Sequence, residues 1–379
     1  MIKTLKEFDF KDKRVLVRCD FNVPLDCRGK SAKKTSPSSL SARVATKGGE
    51  ERMFFDSSHS EMKILDDFRI KETIPTIRYL ADNGAKIILM SHLGRPEGKV
   101  VEELRLDPIQ EKIQEYLNFP IAKAQDCVGS DVEKQIQRMK DGEVLLLENL
   151  RFHKEEEEGD LNFAKELAKL GDFYINDAFG ACHRAHASIA GIPKYLPSGA
   201  GLLLEKEIRS LNRIIKNPQK PLISIIGGAK VETKAKLINK ISEVSDWVLI
   251  GGLIKKELDD KKITLTFPWK IIAPFNNFEG KDIGPETIEL FKEKISLAKT
   301  VFFNGVLGRI EEEEFAKGTE KILQIIIQSG AFSVVGGGEM VGLINKLGLI
   351  NEFNHVSTGG GAMIAFLSGE KLPGIEALG

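Results

Sequence analysis

Short apolar runs alternate with amphipathic stretches from one end of this chain to the other, and few architectures accept that rhythm. Runs at 14–19, 86–91, 143–147 and 172–175 are apolar enough to predict strands buried on both faces. Between them, helical spacing shows at 71–83, 108–117, 132–139 and 162–170. The pattern resumes with strands at 221–226, 246–250, 300–303 and 332–335, and with helices near 231–242, 285–298, 314–328 and 340–347. Repeated βα units set successive strands parallel and cover both faces of the sheet with helices. At 379 residues the chain exceeds one ordinary core. Two doubly wound, Rossmann-like parallel-sheet domains of the α/β class are therefore expected.

The rhythm breaks at 192–201, where Pro193, Pro197, Gly199 and Gly201 gather ahead of a long helix candidate at 202–216. This predicts domains at 1–194 and 195–379, with that helix as the hinge between them. Residues 26–62 lack periodicity and are rich in Ser, Lys, Arg and Gly, as expected of a flexible insert. A basic patch for a partner is the other reading of that stretch, but Glu50 and Glu51 dilute its charge.

Lysine plus arginine and aspartate plus glutamate each number 55, so no global field favours nucleic acid or an anionic membrane, and any anion site must be local. No apolar run approaches the roughly 20 residues that cross a bilayer, and the first residues, MIKTLK, carry no leader-like apolar core. Cys19, Cys27, Cys127 and Cys182 lack CxxC spacing, which argues against zinc or a disulfide framework and fits a cytoplasmic location. No His/Cys/Asp cluster has metal-ligand spacing along the chain. Cys19 and Cys182 read as buried bystanders.

The loops after the strands change chemistry halfway along. In the first half they carry Asp20 and Asn22, then His92 and Arg95, then Arg151, then His183 and Arg184. Any one of these could be a turn residue or a surface ion pair of little energetic weight. Together, four strand ends each offer an arginine or an Asp/Asn pair, and guanidinium forks match carboxylate or phosphate oxygens. In the second half the loops are glycine-rich: Gly227-Gly228-Ala229-Lys230 with Lys234 one turn on, Gly251-Gly252, Asn304-Gly305, Gly336-Gly337-Gly338 and Gly359-Gly360-Gly361. Glycine lets backbone N–H groups approach phosphates, and helix N-termini add partial positive charge there. Neither a Walker loop nor a dinucleotide fingerprint is present. An α/β sheet binds ligands at its strands' carboxyl ends, so one half is suited to a small acid and the other to a nucleotide, with phosphoryl transfer between them. The acidic runs 155–158 and 311–314 read as solvated faces, Glu311 excepted below.

The ordered segments VRCDFNVPL, ILMSHLGRP, LLLENLRFHK, INDAFGACHRAHAS, IIGGAKVETK, DIGPETIELF, FAKGT, AFSVVGGG and HVSTGGGA closely resemble the phosphoglycerate kinase family. The resemblance covers nearly the whole chain apart from the insert and 253–280. It implies a hinge-bending monomer that passes a phosphoryl group between 1,3-bisphosphoglycerate and MgADP, giving 3-phosphoglycerate and MgATP. It places phosphoglycerate on the first domain, on Asp20, Asn22, Arg69, His92, Arg95, Arg151, His183 and Arg184. It places the adenine nucleotide on Gly227, Gly228, Ala229, Lys234, Asn304, Gly305, Glu311, Gly336, Gly337, Gly338, Glu339 and Met340, with Glu311 on the ribose. Arg69, Lys230 and the helix start at Gly338 would serve the transferring group, and Glu339 would hold Mg2+.

The chain departs from the family pattern on the nucleotide side. Glu339 stands for an aspartate, Met340 for a serine or threonine whose hydroxyl suits capping or phosphate, and Val306 for a proline. Leu253 interrupts a glycine run, and 253–281 is shortened, with a helix expected to be missing and one strand retained within 263–273. Two readings stand at this point: a kinase with a pared-down nucleotide pocket, or a phosphoglycerate-binding scaffold with an impaired nucleotide site.

Overall fold

A computed structural model describes residues 2–26, 62–275 and 281–379. Two six-stranded sheets organise it, and every strand pairing within them is parallel. In chain order the strands are β1 (Arg14–Arg18), β2 (Leu25–Asp26), β3 (Lys63–Ile64), β4 (Lys86–Met90), β5 (Ala122–Lys123), β6 (Val144–Leu146), β7 (Phe173–Asn176) and β8 (Ser198–Ala200). There follow β9 (Leu222–Ile226), β10 (Trp247–Ile250), β11 (Ile271–Ile272), β12 (Thr300–Asn304), β13 (Phe332–Gly336) and β14 (His355–Ser357). The first sheet runs β5-β6-β4-β1-β7-β8 and the second β11-β10-β9-β12-β13-β14. Counted from β9, the second sheet has the doubly wound order 3-2-1-4-5-6, which opens a crevice between β9 and β12.

The predicted strands appear as continuous buried runs. All five residues of β9 and of β12 are buried, because helices cover both faces. The connector is the helix Leu202–Ile215, which follows directly on β8, itself a strand of the first sheet. Asp177, at the end of β7, accepts the Leu203 and Leu204 N–H groups at that helix's start. Burial pushes the Asp177 carboxyl up to about 7. Further along the helix, the buried Glu207 accepts from His355 Nε2 at 2.7 Å and from the Thr358 N–H at 2.7 Å, beyond β14. The connector is thus tied to the ends of a strand from each sheet. The chain end returns to the first sheet's side, where Gly374 N donates to the Cys182 carbonyl and Asn176 Nδ2 to the Gly374 carbonyl.

The bulk of the expected insert lies outside the described residues. Its ends are fastened by an antiparallel ladder in which Leu25 faces Ile64 and Asp26 faces Lys63. A long segment closed by such a ladder adds only slowly increasing closure entropy. Within 253–281 the chain keeps the helix Gly252–Asp260 and the two-residue edge strand β11. Cys19, Cys127 and Cys182 are buried and free.

Candidate active site

Strand β1 delivers Asp20 and Asn22 into a loop locked by its neighbours. The Phe21 N–H donates to Ser91 Oγ at 2.9 Å, and the Gly94 N–H to Asn22 Oδ1 at 2.9 Å. Gly180 brings its backbone against Asp20, since a Cβ there would lie 2.4 Å from Asp20 Oδ2. Arg69, just inside the helix Phe68–Asp82, donates from Nη1 to the Asn22 carbonyl at 2.9 Å and pairs with Asp20 at 3.4 Å. Arg69 therefore docks beside Asp20 and Asn22 despite the long detour in sequence.

His92 follows β4 and is buried. Arg18 Nη2 stands 3.2 Å from its Nδ1. A guanidinium only donates, so Nδ1 accepts and the ring proton sits on Nε2. Burial, with the charges of Arg18, Arg151, Arg184 and Arg69, holds the imidazole well below its ordinary value. Burial and the neighbouring arginines thus favour the neutral imidazole, whose Nε2–H is left to donate, while the positive charge around it belongs to the arginines. Arg151, almost fully buried, donates to the Gly94 carbonyl at 2.6 Å and pairs with Glu157 at 3.1 Å. Arg184 Nε lies 3.3 Å from His183 Nε2, and burial followed by Arg184 lowers that imidazole too. Arg95 is exposed on the same loop as His92.

Beneath these side chains lies a network the sequence reading missed. Arg18 is fully buried; it donates from Nε to Ser188 Oγ at 2.7 Å and lies 3.8 Å from Glu156. Glu156 accepts from both the Ser188 N–H and its hydroxyl, at 2.9 and 2.6 Å. His186 is 3.8 Å from Glu156, and burial followed by Arg18 lowers its imidazole to about 3. Glu156 belongs to the acidic run expected to face solvent, yet it is fully buried. It supplies the countercharge that a buried arginine requires. The available signal was an arginine ending an otherwise apolar strand.

On the second sheet three glycine turns bond to one another around the β9/β12 crevice. Gly227 N donates to the Asn304 carbonyl, Gly228 N to the Val306 carbonyl and Gly305 N to the Gly336 carbonyl. A side chain at Gly227 would meet the Val306 carbonyl at 2.1 Å, and Gly305 has φ +77°. Lys234 is buried under this floor, donating to Asn304 Oδ1. Its ammonium would be 3.1 Å from a Cβ at Gly305 and 3.8 Å from one at Gly228. Only glycine leaves an anion a path to it. Burial pulls the Lys234 ammonium down to about 8, with the Glu339 carboxylate opposing the shift. Ala229 and Lys230 are exposed at the start of the helix Val231–Val244.

Gly337, with φ +115°, opens the helix Gly338–Lys346, and nothing lies within 4 Å of a Cβ at Gly338. The helix start is open, and the N–H groups of its first turn have no intrahelical partner. Glu339 is exposed in the first turn. Met340 is fully buried in the apolar core. The Met340 side chain therefore points into the core and away from the helix start, so of this residue only the backbone N–H is left for the nucleotide expected there. Glu311 is exposed, without a bond to the crevice among the described residues.

The fold also gathers Asp126, Cys127 and His153, whose ligand atoms lie within 4.8 Å of one another, although sequence spacing gave no such cluster. His153 Nε2 already pairs with Asp126 at 2.7 Å and its ring stacks on Phe163, while burial raises the Cys127 thiol well above its ordinary value.

A model of the family described as "Phosphoglycerate kinase" matches residues 52–258 and 264–370. The chain belongs to the phosphoglycerate kinase family. The match breaks off at 259–263, inside the shortened stretch. The chain is 42% identical to a phosphoglycerate kinase of Dictyoglomus turgidum, over 100% of this chain and 98% of that one. Identity to the enzyme of Synechococcus elongatus is 40%, over 100% and 98%. Among solved structures, phosphoglycerate kinase from Pyrococcus horikoshii superposes with a TM-score of 0.81 at 31% identity, covering 100% of this chain and 98% of that one. That from Coxiella burnetii gives 0.77 at 28%, covering 100% and 99%. This chain is accordingly a phosphotransferase with two parallel-sheet domains.

Proposed function

We propose that the arginine-rich strand ends of the first sheet hold 3-phosphoglycerate or 1,3-bisphosphoglycerate, and that the glycine crevice of the second holds the adenine nucleotide. The observation that carries this is the pairing of two unlike strand-end pockets in one chain, one lined by the guanidinium groups of Arg69, Arg151 and Arg184, the other a glycine floor at Gly227, Gly228 and Gly305 beside the Lys234 ammonium and the open helix start at Gly338. Asp20 and Asn22 take the glycerate hydroxyl and carboxyl end, and His92, Arg95, Arg151, His183 and Arg184 the 3-phosphate. Glu311 serves the ribose.

In transfer toward ADP, a terminal phosphate oxygen of the nucleotide attacks the acyl phosphorus. The new P–O bond forms as the P–O bond to the acyl oxygen breaks, and the electron pair leaves on the carboxylate. Nucleophile and leaving group are both anionic at neutral pH, so no proton has to move and no general base is required. Catalysis is then in-line positioning and neutralisation of the equatorial oxygens. Arg69 approaches from the glycerate side, Lys230 from the nucleotide side, and the N–H groups at Gly338 complete the set.

Glu339 suits Mg2+: it offers one exposed carboxylate beside an open helix start, and Mg2+ characteristically takes one or two carboxylates plus phosphate oxygens. When bound, the ion supplies positive charge on the nucleotide phosphates. Because the two pockets belong to different sheets, hinge closure about the helix Leu202–Ile215 assembles them and excludes water from a hydrolysable acyl phosphate. One chain provides both half-sites, consistent with a monomer. Among the described residues no helix is long and apolar enough to cross a membrane, and we place the enzyme in the cytoplasm. We divide the domains after β8, since 198–200 pair with β7.

Calorimetric titration tests the two half-sites separately. 3-Phosphoglycerate is expected to bind, and MgADP to bind with weak discrimination against other nucleoside diphosphates because 253–281 is short. Absence of detectable MgADP binding would overturn the assignment of the crevice.

A further inference from the structure

Four consecutive residues, Asp66 to Arg69, address both domains at once. Asp67 Oδ2 accepts from Tyr116 Oη at 2.6 Å, holding the segment to the first domain. Arg69 reaches Asp20 and the Asn22 carbonyl. Phe68 turns the other way. It is 4% exposed, and the apolar cluster that buries it otherwise consists entirely of residues 223–356, Met340, Leu343 and Ile344 among them. Asp66 Oδ1 accepts both the Phe68 N–H and Asn345 Nδ2, each at 3.0 Å. Met340, Leu343, Ile344 and Asn345 all lie on the helix Gly338–Lys346, whose first turn faces the nucleotide phosphates in the reading above.

We propose that Phe68 is a positioning residue that ties the helix Gly338–Lys346 to Arg69, so that seating the nucleotide and aiming Arg69 at the transferring group are one event. Phe68 and Arg69 are adjacent in the first turn of one helix, and a shift of the cluster carries both. The polar half of the contact, Asp66 with Asn345, fixes its register. A full phenyl ring buried across a domain boundary contributes apolar area that only the joined state retains. Coupling of this kind is reciprocal: nucleotide strengthens phosphoglycerate binding by the same factor as phosphoglycerate strengthens nucleotide binding.

This inference rests on the assignment of Arg69 to the transferring group, so the test separates the two. Wild type, Phe68→Ala, Phe68→Leu and Asn345→Ala are compared for 3-phosphoglycerate affinity with and without MgADP, for kcat and KM, and for compaction by small-angle scattering with both ligands. In Phe68→Ala, affinity for 3-phosphoglycerate alone is expected to stay within twofold. The enhancement by MgADP is lost, kcat falls at least about tenfold and compaction is reduced. Phe68→Leu restores most of kcat, and the exposed Asn345→Ala loses about threefold. If Phe68→Ala does not fold, the leucine and Asn345 variants decide the matter. Unchanged coupling and kcat in the variants would overturn the proposal, as would loss of 3-phosphoglycerate binding alone, which marks a merely local role. A wild type without transfer activity would refute the Arg69 assignment instead. The tie is then read from scattering, where undiminished compaction in Phe68→Ala or, if it does not fold, Asn345→Ala overturns it.

Discussion

Lys234 shows how one buried ammonium can serve a site without touching solvent. Its charge lies close behind Gly228 and Gly305, where a side chain would crowd it, so in the proposed function an anion seated on those glycines would meet it. Because burial lowers its value from 10.5 to about 8, the charged form costs free energy in the folded state. Two consequences have definite signs. MgADP affinity falls as pH rises through about 8, where the unliganded protein loses the charge; calorimetry between pH 6.5 and 9.5 reads this, and Lys234→Met removes the trend along with most of the affinity. Between about 8 and 10.5 the unfolded chain keeps a proton that the folded chain has released, so this residue makes stability rise with pH there. The slope is absent in Lys234→Met. The sequence showed Lys234 one turn after a glycine-rich loop, but not that its ammonium lies below the loop. That follows from the packing of β9 against β12, a non-local contact with no signature at 234.

At the scale of elements, the strand ends were legible and what underpins them was not. Apolar runs of five residues revealed β1, β4, β9, β12 and β13 because burial on both faces leaves a continuous pattern. Two- and three-residue strands such as β5, β8 and β14 carry too few side chains for any periodicity. Glu156 was hidden in a run of four glutamates whose other members are not buried. Replacing it by glutamine keeps one of the two acceptors that Ser188 uses, sets an amide NH2 against the other donor and strips Arg18 of its countercharge. Glu156→Gln is expected to destabilise the protein by about 3 kcal/mol in urea titrations, and to shift the affinity for 3-phosphoglycerate through His92. Met340 teaches the converse. Its departure from the family pattern drew attention to a missing hydroxyl, while the fold turns position 340 inward. Met340→Thr should therefore lower stability by about 2 kcal/mol, with no gain in MgADP affinity by calorimetry.

The whole molecule is two parallel sheets whose carboxyl edges carry complementary chemistry, joined by a helix anchored to β7 through Asp177 and to the β14 end through Glu207. The two parallel sheets and most of their strand-end loops could be read in advance, because βα alternation and loop composition are local. The docking of Arg69 was expected from the family resemblance, but the contacts that hold it were not legible. The β2–β3 ladder closes the first-domain segment ahead of Arg69, and Phe68 beside it packs among residues 223–356 of the other domain, pairings with no local signature. The central claim is that positive charge from both sheets meets on one migrating phosphoryl group. Its most direct test is the rate of ATP formation from 1,3-bisphosphoglycerate and MgADP by wild type, Lys230→Ala and Arg69→Ala. Transfer by the wild type is expected, with loss of about 10²-fold in Lys230→Ala and about 10³-fold or more in Arg69→Ala. Equal rates in all three proteins would contradict the account.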